Sequence, residues 1–533
     1  MDNGMDKAGS RLFLGFLLGL VALMGGLALA KGGLYVDRHE GDTLHLTEIV
    51  LRMAGGEWPH LDFVTPLGAL SFLPISGLVA MGFGVGTAIL LAQVAVALVL
   101  VPMVWWLGRS RLTRGMAYGA GALVMVLALA MIHGEAAASV SLSMHYNRWA
   151  WAFAFVAILI AVLEPREIES QAADGIILGA AFAFFVMAKM TYAVAFAPGV
   201  ALALVLRGQW RAFGVALVTV AVAALALTLA AGPAIWPAYV SDLLLVAGTD
   251  IRPRAGVDLP TLLTAPQYVL GNAILVLSVV VLRRGVAPNM GLVLLLLGPG
   301  MIYVTYQNYG NDPKWLALLA LILLGLSRRP QVIALAVVSC ALIAPSFFNM
   351  AVSPARHFAS KTAIYEPLFE GTAMAAEHGD FFVKSERVHR ILTRAPVIFE
   401  GEEFASLNEK AAHLAPAVFE GETLPACGQV LGLIGASRAI AADLERAGFA
   451  GATVYVADTF SSLWMFGDLT AVRGAAPWYY GRLTGYENAQ YLLVPRCPVT
   501  PAAFRSILGD VTAQGGALEE ARRTELYTLY RKL

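Results

Sequence analysis

The sequence predicts a polytopic α-helical membrane protein with about eleven transmembrane helices, a first outer loop bearing interfacial helices, and a C-terminal soluble α/β domain. Three observations predict it. The 533 residues are 58% hydrophobic and 14% charged, whereas soluble domains run near ~25% charged. Apolar runs of bilayer-spanning length recur as far as residue 344. The 37 Lys+Arg and 37 Asp+Glu divide unevenly, half of them within positions 1–349 and half within the last 184, so the tail is the more polar part. Their balance leaves no bulk electrostatic argument for nucleic acid. Three cysteines, Cys340, Cys427 and Cys497, are too few for a disulfide scaffold or a closed zinc cage.

In chain order the predicted spans are Leu12–Ala30, Gly86–Leu107, Gly115–Ile132, Ala150–Leu163, Ala172–Ala188, Thr191–Leu206, Gly214–Ala231, Tyr268–Leu282, Met290–Tyr303, Trp315–Leu326 and Val332–Ala344. Pro66–Gly84 is apolar but broken by Pro74 and several glycines, and it is read as interfacial. With that assignment the loops carrying Arg109/Arg111/Arg114, Arg166, Arg207/Arg211, Arg283/Arg284 and Arg328/Arg329 all face the cytoplasm, as short basic loops do. Ala172–Leu206 is too long for one span, so two spans meet near Lys189. The amino terminus is then cytoplasmic. The outer, periplasmic side of a bacterial inner membrane receives 31–85, 133–149, Lys189, 232–267, 306–314 and the tail. Ala28-Leu29-Ala30 also fits a signal-peptidase site; an uncleaved first helix is the reading adopted.

The domain boundary is set at 349/350. Within 350–533, strands are expected at Val430–Ile434, Ala452–Ala457 and Ala489–Val494, with helices at Ser437–Ala447 and Pro501–Gln514. Gly432-x-x-Gly435-Ala436-Ser437 has the look of a phosphate turn, but ordinary βαβ packing explains it better. Cys427 and Cys497 fall in an oxidising compartment on this topology, where a disulfide between them is reasonable.

Charge inside hydrocarbon is costly, so polar groups gathered at one membrane face mark a functional site. The first outer loop is the densest such cluster. It runs Tyr35-Val36-Asp37-Arg38-His39-Glu40-Gly41-Asp42, then an amphipathic helix Thr43–Ala54, then Gly55-Gly56-Glu57-Trp58-Pro59-His60-Leu61-Asp62-Phe63 and Pro66-Leu67. Other polar groups expected on the same side are His133 and Glu135, Tyr146, Asn147 and Arg148 before a span, Lys189 between spans, and Gln307, Asn308, Asn311 and Lys314 before another.

An acidic residue, a short helix, a Gly-rich turn into Pro plus an aromatic, Asp-Phe, then Pro-Leu resembles the first-loop pattern of the GT-C glycosyltransferases. These include the lipid A aminoarabinose transferases and protein O-mannosyltransferases, which take sugar from a polyprenyl phosphate. Gly179-x9-Lys189-Met190-Thr191-Tyr192 resembles a further motif of bacterial members, whose lysine lies near the lipid phosphate. The likeness covers about 350 residues in architecture and about 30 in motif. It implies Asp42 as catalytic base, or Glu40 after a two-residue shift, because Thr43 stands where the family commonly has Glu and Glu40-Gly41 is the nearest such pair. His60 stands where an aromatic is usual.

Acid–base chemistry asks for the same groups. An acceptor hydroxyl needs a carboxylate for its proton, and a departing prenyl phosphate needs cations. Asp42 or Glu40 supplies the first; Lys189, Arg148 and Lys314 supply the second. Asp37, His60, His133, Glu135, Tyr146, Asn147, Gln307, Asn308 and Asn311 are candidate substrate contacts. The partners implied are a polyprenyl-phosphate-linked sugar, a glycan, lipid or protein acceptor, and the bilayer; no cofactor is required, and a divalent metal stays open. Each residue also has a plainer role: Asp42 as helix cap, Arg148 as interfacial anchor, His133 and Glu135 as a satisfied loop pair, and 307–314 as a turn. A lipid-linked glycan flippase or a glycan polymerase or ligase is the competing function. Spans almost free of charge and without internal repeats argue against ion-coupled transport.

Overall fold

The structure is a computed structural model describing residues 6–134, 138–166, 168–249, 251, 258–308, 311–395, 401–404, 406 and 416–533. Each predicted span falls on a helix. In order the helices are α1 (Lys7–Leu29), α2 (Glu40–Ala54), α3 (Leu73–Ala80), α4 (Val85–Arg111), α5 (Arg114–Leu129), α6 (His145–Val162), α7 (Gln171–Ala188), α8 (Met190–Leu206), α9 (Trp210–Ala231), α10 (Ile235–Ala247), α11 (Leu259–Thr264), α12 (Pro266–Val281), α13 (Pro288–Gln307), α14 (Trp315–Leu326) and α15 (Pro330–Ala359). Among the described residues, seven segments are long and apolar enough to cross a membrane: α1, α4, α7, α9, Tyr268–Val286, α13 and α15. The protein is therefore a membrane protein. Of the remaining predicted spans, α6 equals α7 in length at 18 residues but opens on the polar His145-Tyr146-Asn147-Arg148, and α5, α8 and α14 are shorter; α14 has 12 residues, about 18 Å of helix against a ~30 Å hydrocarbon core.

Burial separates central helices from peripheral ones. Helix α6 is buried continuously from Asn147 to Val162, and α14 from Trp315 to Leu323, as befits helices that are apolar all round. On α9 only Ala212 is buried, and Leu217, Val218, Val222, Leu225 and Leu229 are exposed. Pro66–Gly84 folds as a short 3-10 turn, Ala69–Ser71, and the 8-residue α3, some 12 Å of helix and too short to span. The chain breaks between α7 and α8 at Lys189, whose backbone is extended.

Several arginine-bearing loops meet at one end of the bundle. Arg111 pairs with Asp174 at 2.5 Å and donates to the Ile160 and Leu163 carbonyls. Arg207 donates to Ile160 and Ala161, and the Arg166 N–H reaches Ser110. A cleft of about 560 Å³ opens there, lined by Glu164, Glu169, Arg207, Gln209 and Asn289.

Helix α15 continues through 349/350 to Ala359, so the predicted boundary lies within a helix. The first loop also contributes to the tail: β1 (Leu34–Val36) pairs in parallel with β3 (Phe381–Lys384), which pairs with β2 (Tyr365–Pro367). The tail's larger sheet has four strands in spatial order Leu518–Arg523, Tyr527–Lys532, Tyr491–Pro495, Val454–Val456. The second and third expected strands and the Pro501–Gln514 helix are present. The strand expected at 430–434 is Gly428–Leu431 and pairs instead with Leu392–Arg394, which corrects the simple βαβ expectation. Its helix starts earlier than expected, at Leu433. Cys427 and Cys497 are joined by a disulfide.

Candidate functional site

Four helix ends and one loop converge at the Lys189 end. Lys189 lies where α7 passes into α8, and its ammonium donates to Asn147 Oδ1 at 2.9 Å and Asn308 Oδ1 at 2.5 Å. The Tyr146 ring lies 5.4 Å from the ammonium. Tyr192, fully buried, donates to the Asn147 carbonyl at 3.1 Å and accepts from Asn308 Nδ2 at 3.4 Å. Three predicted residues from three separate segments, Asn147, Lys189 and Asn308, thus form one cradle. Tyr192 completes it; it stands in the Lys-Met-Thr-Tyr run, and that run is the signal through which sequence reasoning could have reached it.

Arg148 follows Asn147 on α6. Its side chain has no solvent exposure, and Nε, Nη1 and Nη2 all lack a hydrogen-bond partner. Asn147 Nδ2 is likewise buried without one. Buried polar groups are nearly always satisfied, so donors left open on two adjacent side chains, Asn147 and Arg148, are the feature of this region that calls for an explanation.

The first loop seals this end. The Gly68 N–H and the Ser71 hydroxyl both donate to the Ala188 carbonyl, at 2.9 and 3.0 Å. A Cβ on Gly68 would stand 2.2 Å from Met187 O, so only glycine permits that approach. His145 bonds the Ser71 carbonyl at 2.9 Å. His60, with φ +72°, holds Asp242 of α10 through Nδ1 at 2.8 Å. It therefore ties the loop to a helix within 232–267, a segment that the sequence alone assigns to the outer side without marking a helix in it. Asp242 also accepts from the Thr65 N–H at 3.1 Å.

The second connection joins the first loop to the cradle. His39 bonds Ser141 at 2.6 Å and its ring lies 5.1 Å from His133. The His133 carbonyl accepts from Asn311 Nδ2 at 3.4 Å, and the Asn311 N–H reaches the Asn308 carbonyl. Lys314 is buried with Asp312 3.6 Å away, so its charge is partly offset. Gln307 is half-buried on the last turn of α13. Glu135 lies outside the described residues. Among the described residues no group of three or more His, Cys, Asp or Glu is placed to hold a metal.

The two candidate carboxylates differ in surroundings. Helix α2 begins at Glu40, with His39 at its N-cap, so Asp42 lies in the first turn and is not the cap of a helix starting at Thr43. Asp42 is half-buried. Glu40 is buried, accepts from the Ile434 N–H at 2.8 Å, and has Arg387 3.6 Å away. Burial raises its pKa, opposed by the Ile434 bond and Arg387. The Gly432 turn that resembles a phosphate loop thus does receive an anion at its helix N-terminus, and the anion is this carboxylate. Asp37 is structural as well: it accepts from Val140 N–H and Tyr365 hydroxyl and lies 3.3 Å from Lys384. Sequence reasoning passed over Glu48, fully buried on α2, which accepts from Ser461 at 2.6 Å and Trp464 at 3.2 Å. Its helical spacing gave no sign of what would cover it.

No protein-family model matches the chain, and no curated protein matches its sequence.

Proposed function

We propose that the protein is an integral-membrane glycosyltransferase of GT-C type, an inverting enzyme that moves a sugar from a polyprenyl phosphate to an envelope glycan, lipid or protein. The carrying observation is the buried, unpartnered Arg148 guanidinium on α6, one residue beyond Asn147, to which Lys189 donates. A buried cation without a counter-charge is costly, and a lipid phosphate supplies one. Arg148, Lys189 and Asn147 receive the phosphate, and Asp42 takes the acceptor's proton. The acceptor oxygen bonds to the anomeric carbon as the carbon–oxygen bond to phosphate breaks, and the electron pair leaves on the phosphate, whose growing charge the two cations stabilise.

The Cys427–Cys497 disulfide supports placing the tail in an oxidising periplasm. The clustering of Arg111, Arg166 and Arg207 at the opposite end supports a cytoplasmic face there. A flippase needs a polar route between those ends. The continuous apolar burial of α6 from Trp149 to Val162 argues against one.

The test is binding of undecaprenyl phosphate to the purified protein in nanodiscs, followed by transfer from polyprenyl-phosphoryl sugars in membranes. Lys189→Met and Arg148→Met should each weaken binding about tenfold or more, near 1.4 kcal/mol. Asp42→Asn should abolish transfer while leaving binding intact. Unchanged binding in both cation variants removes the proposal.

A further inference from the structure

Helix α2 is gripped by the tail along its length. Glu40 bonds the Ile434 N–H at 2.8 Å and faces Arg387. Gly41 lies against Phe460, whose ring a Cβ would meet at 2.3 Å. One turn on, the His45 ring stands 5.6 Å from Trp478, itself 4.8 Å from Phe460. Glu48 accepts from Ser461 and Trp464, and Arg52 donates to the Val472 carbonyl at 3.3 Å. These tail-side contacts come from Arg387, from the start of the Leu433–Arg446 helix and from segment 460–478. Asp42 lies two residues beyond Glu40, in the same first turn of α2.

We infer that Glu40 is a positioning residue, through which the tail fixes the first turn of α2 and so the direction of the Asp42 carboxylate. This rests on the transferase reading, in which Asp42 is the base. The Glu40 carboxylate is used up in a helix N-terminus and an arginine, and its part is to hold the turn that presents its neighbour. The tail is then a structural half of the catalytic loop, and no acceptor-recruiting role is needed to explain its attachment.

The test places a thiol at position 42 with Asp42→Cys in full-length protein carrying Cys340→Ser, since Cys340 is the free cysteine. A charged methanethiosulfonate labels it in nanodiscs, with and without undecaprenyl phosphate, whose binding is measured separately. With Glu40 in place, undecaprenyl phosphate should slow labelling. Glu40→Ala should change the labelling rate about tenfold and remove that protection, while the Cys427–Cys497 bond and a monodisperse elution show the fold intact. Glu40→Gln keeps an oxygen for the Ile434 N–H and should restore the behaviour; Arg387→Ala should mimic Glu40→Ala in part. Equal rates and equal protection in Glu40 and Glu40→Ala proteins overturn the inference. Absence of undecaprenyl phosphate binding when Glu40 is present overturns the transferase reading instead, and the labelling rates alone then decide whether Glu40 sets the turn.

Discussion

A guanidinium taken out of water without a counter-charge costs several kcal/mol, and Arg148 is in that state on a helix whose other buried side chains are mostly apolar. A folded protein keeps such a residue only where something repays the cost. Arg148→Met should therefore raise intrinsic stability by about 1–4 kcal/mol while removing the stabilisation that undecaprenyl phosphate confers. Thermal melts with and without the lipid read both effects together, and a variant that melts lower in both conditions would show the arginine to be structural. At this scale the sequence was informative about identity and poor about roles. Asn147, Lys189 and Asn308 were legible as polar residues beside apolar spans, because hydrocarbon penalises them wherever they fall. That Glu40 caps a distant helix and that His60 holds Asp242 depends on long-range pairing, which no local pattern encodes.

Among the elements, the Leu433–Arg446 helix shows how the tail is fastened internally as well as to α2. Its Asp443 receives a two-pronged bond from Arg522, at 2.6 and 2.7 Å, and the Tyr527 hydroxyl at 2.7 Å. The Arg522 bond is the main reason the Asp443 pKa falls to about 2. A folded pKa below the unfolded one stabilises at pH above the unfolded value, near 4, and that contribution fades as pH falls toward 2. Acid unfolding of the tail, followed by tryptophan fluorescence, should become less steep between about pH 4 and pH 2 in Asp443→Asn, with lower stability at neutral pH; an identical acid profile would rule the tether out. Helix locations were legible from apolar length alone, as was the break at Lys189. Helix α10 and the final hairpin, Leu518–Arg523 with Tyr527–Lys532, were missed. The first hides its apolar face in a connection, and in the second the charged run Glu519-Glu520-Ala521-Arg522-Arg523 masks an edge strand.

For the whole molecule, the attachment between membrane bundle and tail runs both ways. Glu40 of the first loop caps a tail helix, and Asp380 of the tail caps α4, accepting from the Gly86 and Thr87 N–H groups at 3.1 and 2.6 Å. Within the tail the disulfide closes a segment of 70 residues, a loop whose cross-link is worth about 4 kcal/mol by chain entropy. Cys427→Ser with Cys497→Ser should lower the tail's unfolding midpoint in denaturant while helical content of the bundle, read by circular dichroism, persists to higher concentration. Simultaneous loss of both would mean that tail and bundle unfold as one unit. The two-region plan was legible from charge density, but the sharing of a sheet between them was not, since three-residue β1 is too short to announce itself.

The strand β1 and the Glu40 cap also order events during biogenesis. The partner of Glu40 lies 394 residues downstream, so at 5–20 residues per second the ribosome delivers it roughly 20–80 s later. Throughout that interval the nascent first loop has its strand edge open and its acid uncapped. A prematurely terminated chain would never close it, and would present that unfinished edge to quality-control proteases.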